Sequence, residues 1–210
     1  MKVPLLLLSV AVAVLTGCAS RVPLQTKPTV YSAASTTRFV DVKVRIADAR
    51  TDQSLDSVLK NKPSDEVAVA LKKALLDSNI ASLNADSATI LNVEGTLARL
   101  DWVVPGYDAI MTKAIATSLL TGGIGAFAYG STSTPVQGNA VLQLRVLQSG
   151  REVLSREYVG FCEEKLAKLK CDTAATKSRV AGAALSDAIE KFLSDLGQPQ
   201  ASAASESASK

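Results

Sequence analysis

Gly123-Ile-Gly125-Ala-Phe-Ala128 has the spacing of a dinucleotide-binding loop, in which glycines let the backbone approach a pyrophosphate at a helix N-terminus. Such a loop needs a strand before it, a helix beginning at it and an acid about 20 residues further on. Here MTKAIATSLLT precedes it, Gly130 and Pro135 soon interrupt the segment after it, and no acid appears until Glu152. The fingerprint lacks its context, so no nicotinamide cofactor is expected. The chain also contains no histidine, which removes the commonest general base near neutral pH and the commonest metal ligand. No Ser-His-Asp triad, Cys-His pair or H-E-x-x-H zinc site can be built, and neither a catalytic site nor a bound metal is expected. Two adjacent acid pairs remain. Asp65-Glu66 sits where acids favour a helix N-terminus, and Glu163-Glu164 lies beside the lysines of FCEEKLAKLK, so both read as structural or solvated. Asp48, Arg50 and Asp52, spaced by two just past a strand, can point one way and hold a cation or polar ligand. The plainer alternative is local turn and ion-pair contacts worth about 0 to 1 kcal/mol each.

The cysteines carry more information. Lys2 followed by an apolar run from Val3 to Leu15 has the form of an export signal, too short for a membrane span of about 20 residues. Leu15-Thr16-Gly17-Cys18 resembles the lipobox of bacterial lipoproteins. That resemblance implies a diacylglyceryl group on the Cys18 thiol, cleavage of residues 1–17 and acylation of the new amine, with no other cofactor. More than one chain gives stable anchoring at about 0.8 kcal/mol per buried methylene. Ala19 and Ser20, with no Asp next to Cys18, resemble outer-membrane sorting, which implies an address on its periplasmic face. Cys162 and Cys171 are then an even remainder in an oxidising compartment, and one disulfide closing CEEKLAKLKC is expected. The chain-entropy model assigns such a loop about 3 kcal/mol.

These groups must be positioned by elements that the hydropathy pattern outlines. Residues 18–37 hold prolines and small polar side chains without an apolar period, so a lipidated flexible tether reaching roughly 25 Å is expected. Residues 198–210 read as a disordered low-complexity tail. Between them, residues 38–197 form a single domain. FVDVKVRIAD alternates Val40, Val42, Val44 and Ile46 against charges, as a half-buried strand does. Ser64 is placed to cap a helix whose stripe is Val67, Leu71, Ala74 and Leu75, ending near Asn79. TILNVEGTLARLDW predicts a strand with Leu91, Val93, Gly95 and Leu97 on one side. NAVLQLRVLQSGREVLSREYVG predicts a hairpin turning at Gln148-Ser-Gly-Arg151. Thr173 to Leu196 repeats Val180, Ala184, Leu185, Ala188, Ile189, Phe192 and Leu196 at helical spacing before Gly197 and Pro199. The order strand, helix, strand, insertion, strand, strand, helix predicts an α+β two-layer sandwich: a mostly antiparallel sheet with helices packed on one face.

The first strand followed by ADARTDQSLDSVL, the next helix, the central hairpin and the closing helix resemble the YajG family of bacterial outer-membrane lipoproteins. The best segment of that resemblance is Asp48-Ala-Arg50-Thr-Asp52-Gln. It implies an architecture and an address, and no reaction. The chain departs from that pattern in its cysteine pair and in an apolar, glycine-rich insertion at 103–136. Leu119, Leu120, Ile124 and Phe127 make the insertion a candidate contact surface: a flap on its own domain, a self-association surface, or a segment dipping into lipid. The 23 basic residues are interspersed with 20 acidic ones and aromatics are 4% of the chain, so no nucleic-acid partner is expected. The expectation is a non-enzymatic, membrane-anchored structural or interaction component of the cell envelope, with an envelope protein or a second copy as partner. The alternative is a ligand-binding or transport-auxiliary lipoprotein handling an apolar molecule.

Overall fold

Period-two stretches of the chain fold as strands and the two long 3.6-period stretches as helices. The computed structural model describes residues 21–28, 37–78, 80–106 and 133–197. The signal peptide, Cys18, Asn79, the insertion residues Leu119, Leu120, Ile124 and Phe127, and the tail from 198 lie outside the described residues.

Strand β1 (Thr37–Phe39) and strand β2 (Asp41–Asp48) are separated by a bend at Val40. A single strand was expected here, with Val40 on the buried face. The bend turns Phe39 inward, 3% exposed, and leaves Val40 42% exposed. A 3₁₀ turn (Ser54–Ser57) leads to helix α1 (Pro63–Asp77). Pro63 starts this helix, where its fixed φ and missing N–H cost nothing. Ser64, expected to cap it, is instead buried inside its first turn, and Lys62 holds the cap position without a side-chain bond. Strand β3 (Ala81–Leu83) pairs in parallel with β1 as a small second sheet.

Strands β4 (Ile90–Val103), β5 (Ser133–Gln148) and β6 (Arg151–Ala167) complete the main sheet in the order β2-β4-β5-β6. β2 and β4 are parallel, and β4-β5-β6 are antiparallel. The α+β fold with a mostly antiparallel sheet and its helices against it is thus the observed one. A bulge between Leu97 and Arg99 shifts the phase of β4, so that Leu100 is buried where simple alternation from Leu97 would bury Arg99. Ser149 and Gly150, at φ 51° and 79°, turn β5 into β6, and the right-handed twist of the strands favours such a turn. Strand β5 begins inside the expected insertion. Among the described residues, its Pro135 lies beyond the end of β4 and pairs only with Lys165 of β6, so the missing N–H interrupts no ladder there.

A four-residue helix α2 (Lys168–Cys171) then leads into α3 (Ala174–Gly197), which lies across β5 and β6. Its buried row Ala181, Ala184, Leu185, Ala188, Ile189, Phe192 and Leu193 meets Val146, Leu142 and Tyr158 in the main core. The ring of Tyr158 meets that of Phe192 edge to face at 5.5 Å. Gly160 permits the approach: a Cβ there would collide with the backbone of Ala184 and Ala188. Ion pairs Arg179–Glu164 at 2.8 Å and Asp195–Arg156 at 2.7 Å fix α3 antiparallel to β6. The ends of β2, β4 and β6 and the starts of β5, α1 and α3 therefore gather at one end of the domain. The β5–β6 turn marks the other.

Candidate functional site

The expected tether contains the least anticipated feature of the structure. Residues 21–28 are seated on the domain. Val22 bridges Leu59: its N–H donates to the Val58 carbonyl at 3.0 Å and its carbonyl accepts from Lys60 N–H at 2.9 Å. Leu24 is 6% exposed and joins the main core. Beyond it the segment runs along α3 over Ser178, Gly182 and Ser186, which are four residues apart and so share one row of the helix. Ser178 Oγ donates to the Pro23 carbonyl at 2.6 Å and accepts from Gln25 N–H at 3.1 Å. Ser186 Oγ accepts from Lys27 N–H at 2.9 Å and donates to the Gly182 carbonyl at 2.8 Å. Between the two serines, the Gln25 backbone lies where a Cβ on residue 182 would be, so only glycine admits it. Each such hydrogen bond contributes about 1 kcal/mol, and burying a leucine contributes about 1.5 to 3 kcal/mol. This lead belongs to the fold.

A second cluster sits at the same end of the domain, past the end of β2. The Arg50 side chain is 1% exposed and chelates Asp48, with Nε to Oδ1 at 2.9 Å and Nη2 to Oδ2 at 2.8 Å. Its Nη2 also donates to Asp56 Oδ1 at 2.7 Å. Asp48 and Arg50, read from the sequence as a ligand site or a local ion pair, form an ion pair. Asp52 takes no part and accepts from Ser54 N–H at 2.8 Å. The hydrogen bonds from Arg50 hold the Asp48 carboxyl below its ordinary pKa against the opposing pull of burial. Burial disfavours the Arg50 charge, and the bonds to Asp48 and Asp56 outweigh it, raising the pKa. The cluster ties the 3₁₀ turn, and with it Leu55 and Leu59, to β2.

The acid pairs do not form carboxylate dyads. Glu163 accepts from Gln137 Nε2 at 2.9 Å, whereas Glu164 points to the other face and pairs with Arg179. Glu66 accepts from Asn61 at the start of α1.

The expected Cys162–Cys171 disulfide is not formed; both residues are thiols. Residues 162–167, which lie within the segment that the disulfide was expected to close, continue β6. Five residues of strand carry the chain about 17 Å away from Cys162, and the short helix after the strand rises only about 6 Å. A disulfide needs Cα atoms about 5.5 to 6 Å apart. Cys162 faces Gly138 across the sheet, while Cys171 is buried with Sγ 3.4 Å from the Ala167 carbonyl. Burial, then the Glu164 carboxylate, push the Cys162 thiol up, which keeps it protonated at neutral pH.

The depressions that the described residues line are open, with charged side chains at their rims. One of about 550 Å³ lies over Gly95 on the uncovered face of the sheet, lined by Glu94, Thr96, Gln143, Arg145 and Glu157 among others. Another of about 630 Å³ lies between the lead and α3, beside Lys27, Arg179, Asp187 and Glu190.

No family model matches the sequence, and no curated protein matches it. The structure is similar to solved bacterial proteins at low identity. One is a Xanthomonas campestris protein of the DUF330 family, with TM-score 0.46 and 14% identity over 84% of this chain and 92% of that one. A second, from Helicobacter pylori, is described as a neuraminyllactose-binding hemagglutinin homolog, with TM-score 0.41 and 12% identity over 84% of this chain and 90% of that one.

Two outcomes are expected. Denatured without reductant and alkylated, the protein should take up one adduct on each of Cys162 and Cys171 by intact mass; a species that gains these adducts only after reduction would contradict the structure. The Asp48 pKa is lowered on folding, so its contribution is present above its unfolded value of about 3.9 and is lost as pH falls through the folded value. Asp48→Asn should therefore destabilise by about 2 kcal/mol at pH 7. In urea titrations that difference from wild type should shrink below about pH 4.

Proposed function

We propose that the chain is a lipid-anchored envelope protein on the periplasmic face of the outer membrane, similar to the YajG lipoproteins, and that it serves as a non-enzymatic structural or interaction component. The observation that most supports this is the seated lead. Residues 21–28 come three positions after the lipobox-like LTGC and are built into the domain through Leu24, Ser178 and Ser186. A segment held in this way passes the constraint of an anchor at Cys18 directly to the folded core. Its partner in this reading is an envelope protein or a second copy. Carriage of an apolar molecule is the weaker reading, because an enclosed apolar cavity serves that purpose, and the depressions over Gly95 and beside α3 are open and lined by charged side chains.

The anchor is tested with Cys18→Ser in the full chain. The variant should carry no acyl groups by intact mass and keep residues 1–17. A variant that is still processed and acylated would refute the assignment.

A further inference from the structure

We infer that the end of the domain where the lead begins is a docking surface for a phospholipid bilayer, so that the sheet stands with that end toward the membrane. This rests on the anchor proposed above. The length of free chain is the first argument. The described lead starts at Arg21 and is hydrogen-bonded to the domain from Val22 onward. Two residues, Ala19 and Ser20, separate Arg21 from Cys18, which makes three Cα-to-Cα steps, and a fully extended chain spans at most about 3.6 Å per step. Roughly 10 Å of chain then joins the acylated residue to the domain, against the 25 Å or so of a flexible tether. A freely tumbling domain needs the longer reach. The shorter one restricts which surface can face the headgroups.

The topology says which surface that is. Val22 sits beside Leu59, and the lead then follows α3 from Ser178 toward Ser186, away from the helix N-terminus. Arg21 therefore lies at the end that holds the C-termini of β4 and β6. Arg21, Lys60, Lys62 and Lys170 are exposed at this end and stand outside every ion pair among the described residues. Of the acids here, Asp48 and Asp56 are paired with Arg50, Asp172 with Lys177 and Glu164 with Arg179, whereas Asp52, Asp65, Glu66 and Glu163 stand outside those pairs, so the placement rests on the short lead and not on a net basic charge. A basic group is attracted to an anionic lipid surface only within a Debye length of about 8 Å. Basic groups brought within about 10 Å by the short lead are within reach of that attraction, whereas Arg145 and Arg151 near the β5–β6 turn are not.

Trp102, the one tryptophan of the chain, provides a native probe at this end. It is opposite Gly138, and Arg151 is opposite Gln148, so ten residues of β5 separate the two levels, roughly 34 Å. The acylated full chain is reconstituted in vesicles of phosphatidylethanolamine with a minority of phosphatidylglycerol and a dansyl headgroup label. Energy transfer is then compared between wild type and a Trp102→Phe, Arg151→Trp variant. Transfer should be several-fold more efficient from position 102. Protein that floats with the vesicles but transfers equally from both positions, or better from 151, would overturn the docking surface and leave the anchor standing. Protein that fails to float would remove the anchor and this proposal together. Gly182→Leu should loosen the lead and bring the two efficiencies within about twofold. If that variant does not fold, the Ser178→Ala, Ser186→Ala pair removes the hydroxyl clips without adding bulk and should narrow the same ratio. An unchanged ratio in the folded variant would overturn the role given to the lead.

Discussion

Helix α3 is approached at backbone distance from two sides. On one, Gly160 brings β6 against Ala184 and Ala188; on the other, Gly182 brings the lead against the helix at Gln25. Small side chains on both faces are the condition for this arrangement, since protein interiors leave few voids and a single added methyl must be accommodated by movement. Between these contacts α3 sends Leu185, Ile189, Phe192 and Leu193 into the core. The sheet, the last helix and the first seated residues are thereby one packed unit, although the lead and α3 are about 150 positions apart in sequence.

The serines complete that unit chemically. Alanines in place of Ser178 and Ser186 would allow the same approach but would leave the peptide groups of Pro23, Gln25 and Lys27 without these partners. Each hydroxyl instead both donates and accepts, which matters because an unsatisfied buried polar group costs about 1 to 3 kcal/mol. The Arg50 cluster does similar work nearby, holding in place the turn just before Val58 to Lys60, the residues that receive Val22. Two polar devices thus secure the segment that joins the domain to its proposed anchor.

Elements whose signal is local were legible in the sequence. Ser149-Gly150 announced the turn between β5 and β6, and the repeat from Val180 to Leu196 announced α3 with its buried face. Features that depend on a distant partner were not. The prolines of RVPLQTKP suggested a flexible tether, yet Val22, Leu24 and Thr26 alternate with Arg21, Pro23, Gln25 and Lys27, an extended segment with one side inward. That alternation was readable, but the matching row Ser178, Gly182, Ser186 is hidden inside a helical repeat whose apolar stripe draws the eye elsewhere. The cysteines misled for a related reason: counting them ignores the strand that carries the chain away between Cys162 and Cys171. At Asp48 and Arg50 spacing alone could not choose between ligand site and ion pair, because Asp56, which joins the pair, comes from the next turn.

The central claim is that residues 21–28 are part of the folded domain. Amide hydrogen exchange at Gln25 and Lys27 tests it most directly, since their N–H groups donate to Ser178 Oγ and Ser186 Oγ. Both amides should exchange far more slowly than in an unstructured peptide, with opening free energies above zero that fall when urea is added. Exchange at the unstructured rate at both positions, in a protein whose α3 amides stay protected, would contradict the account.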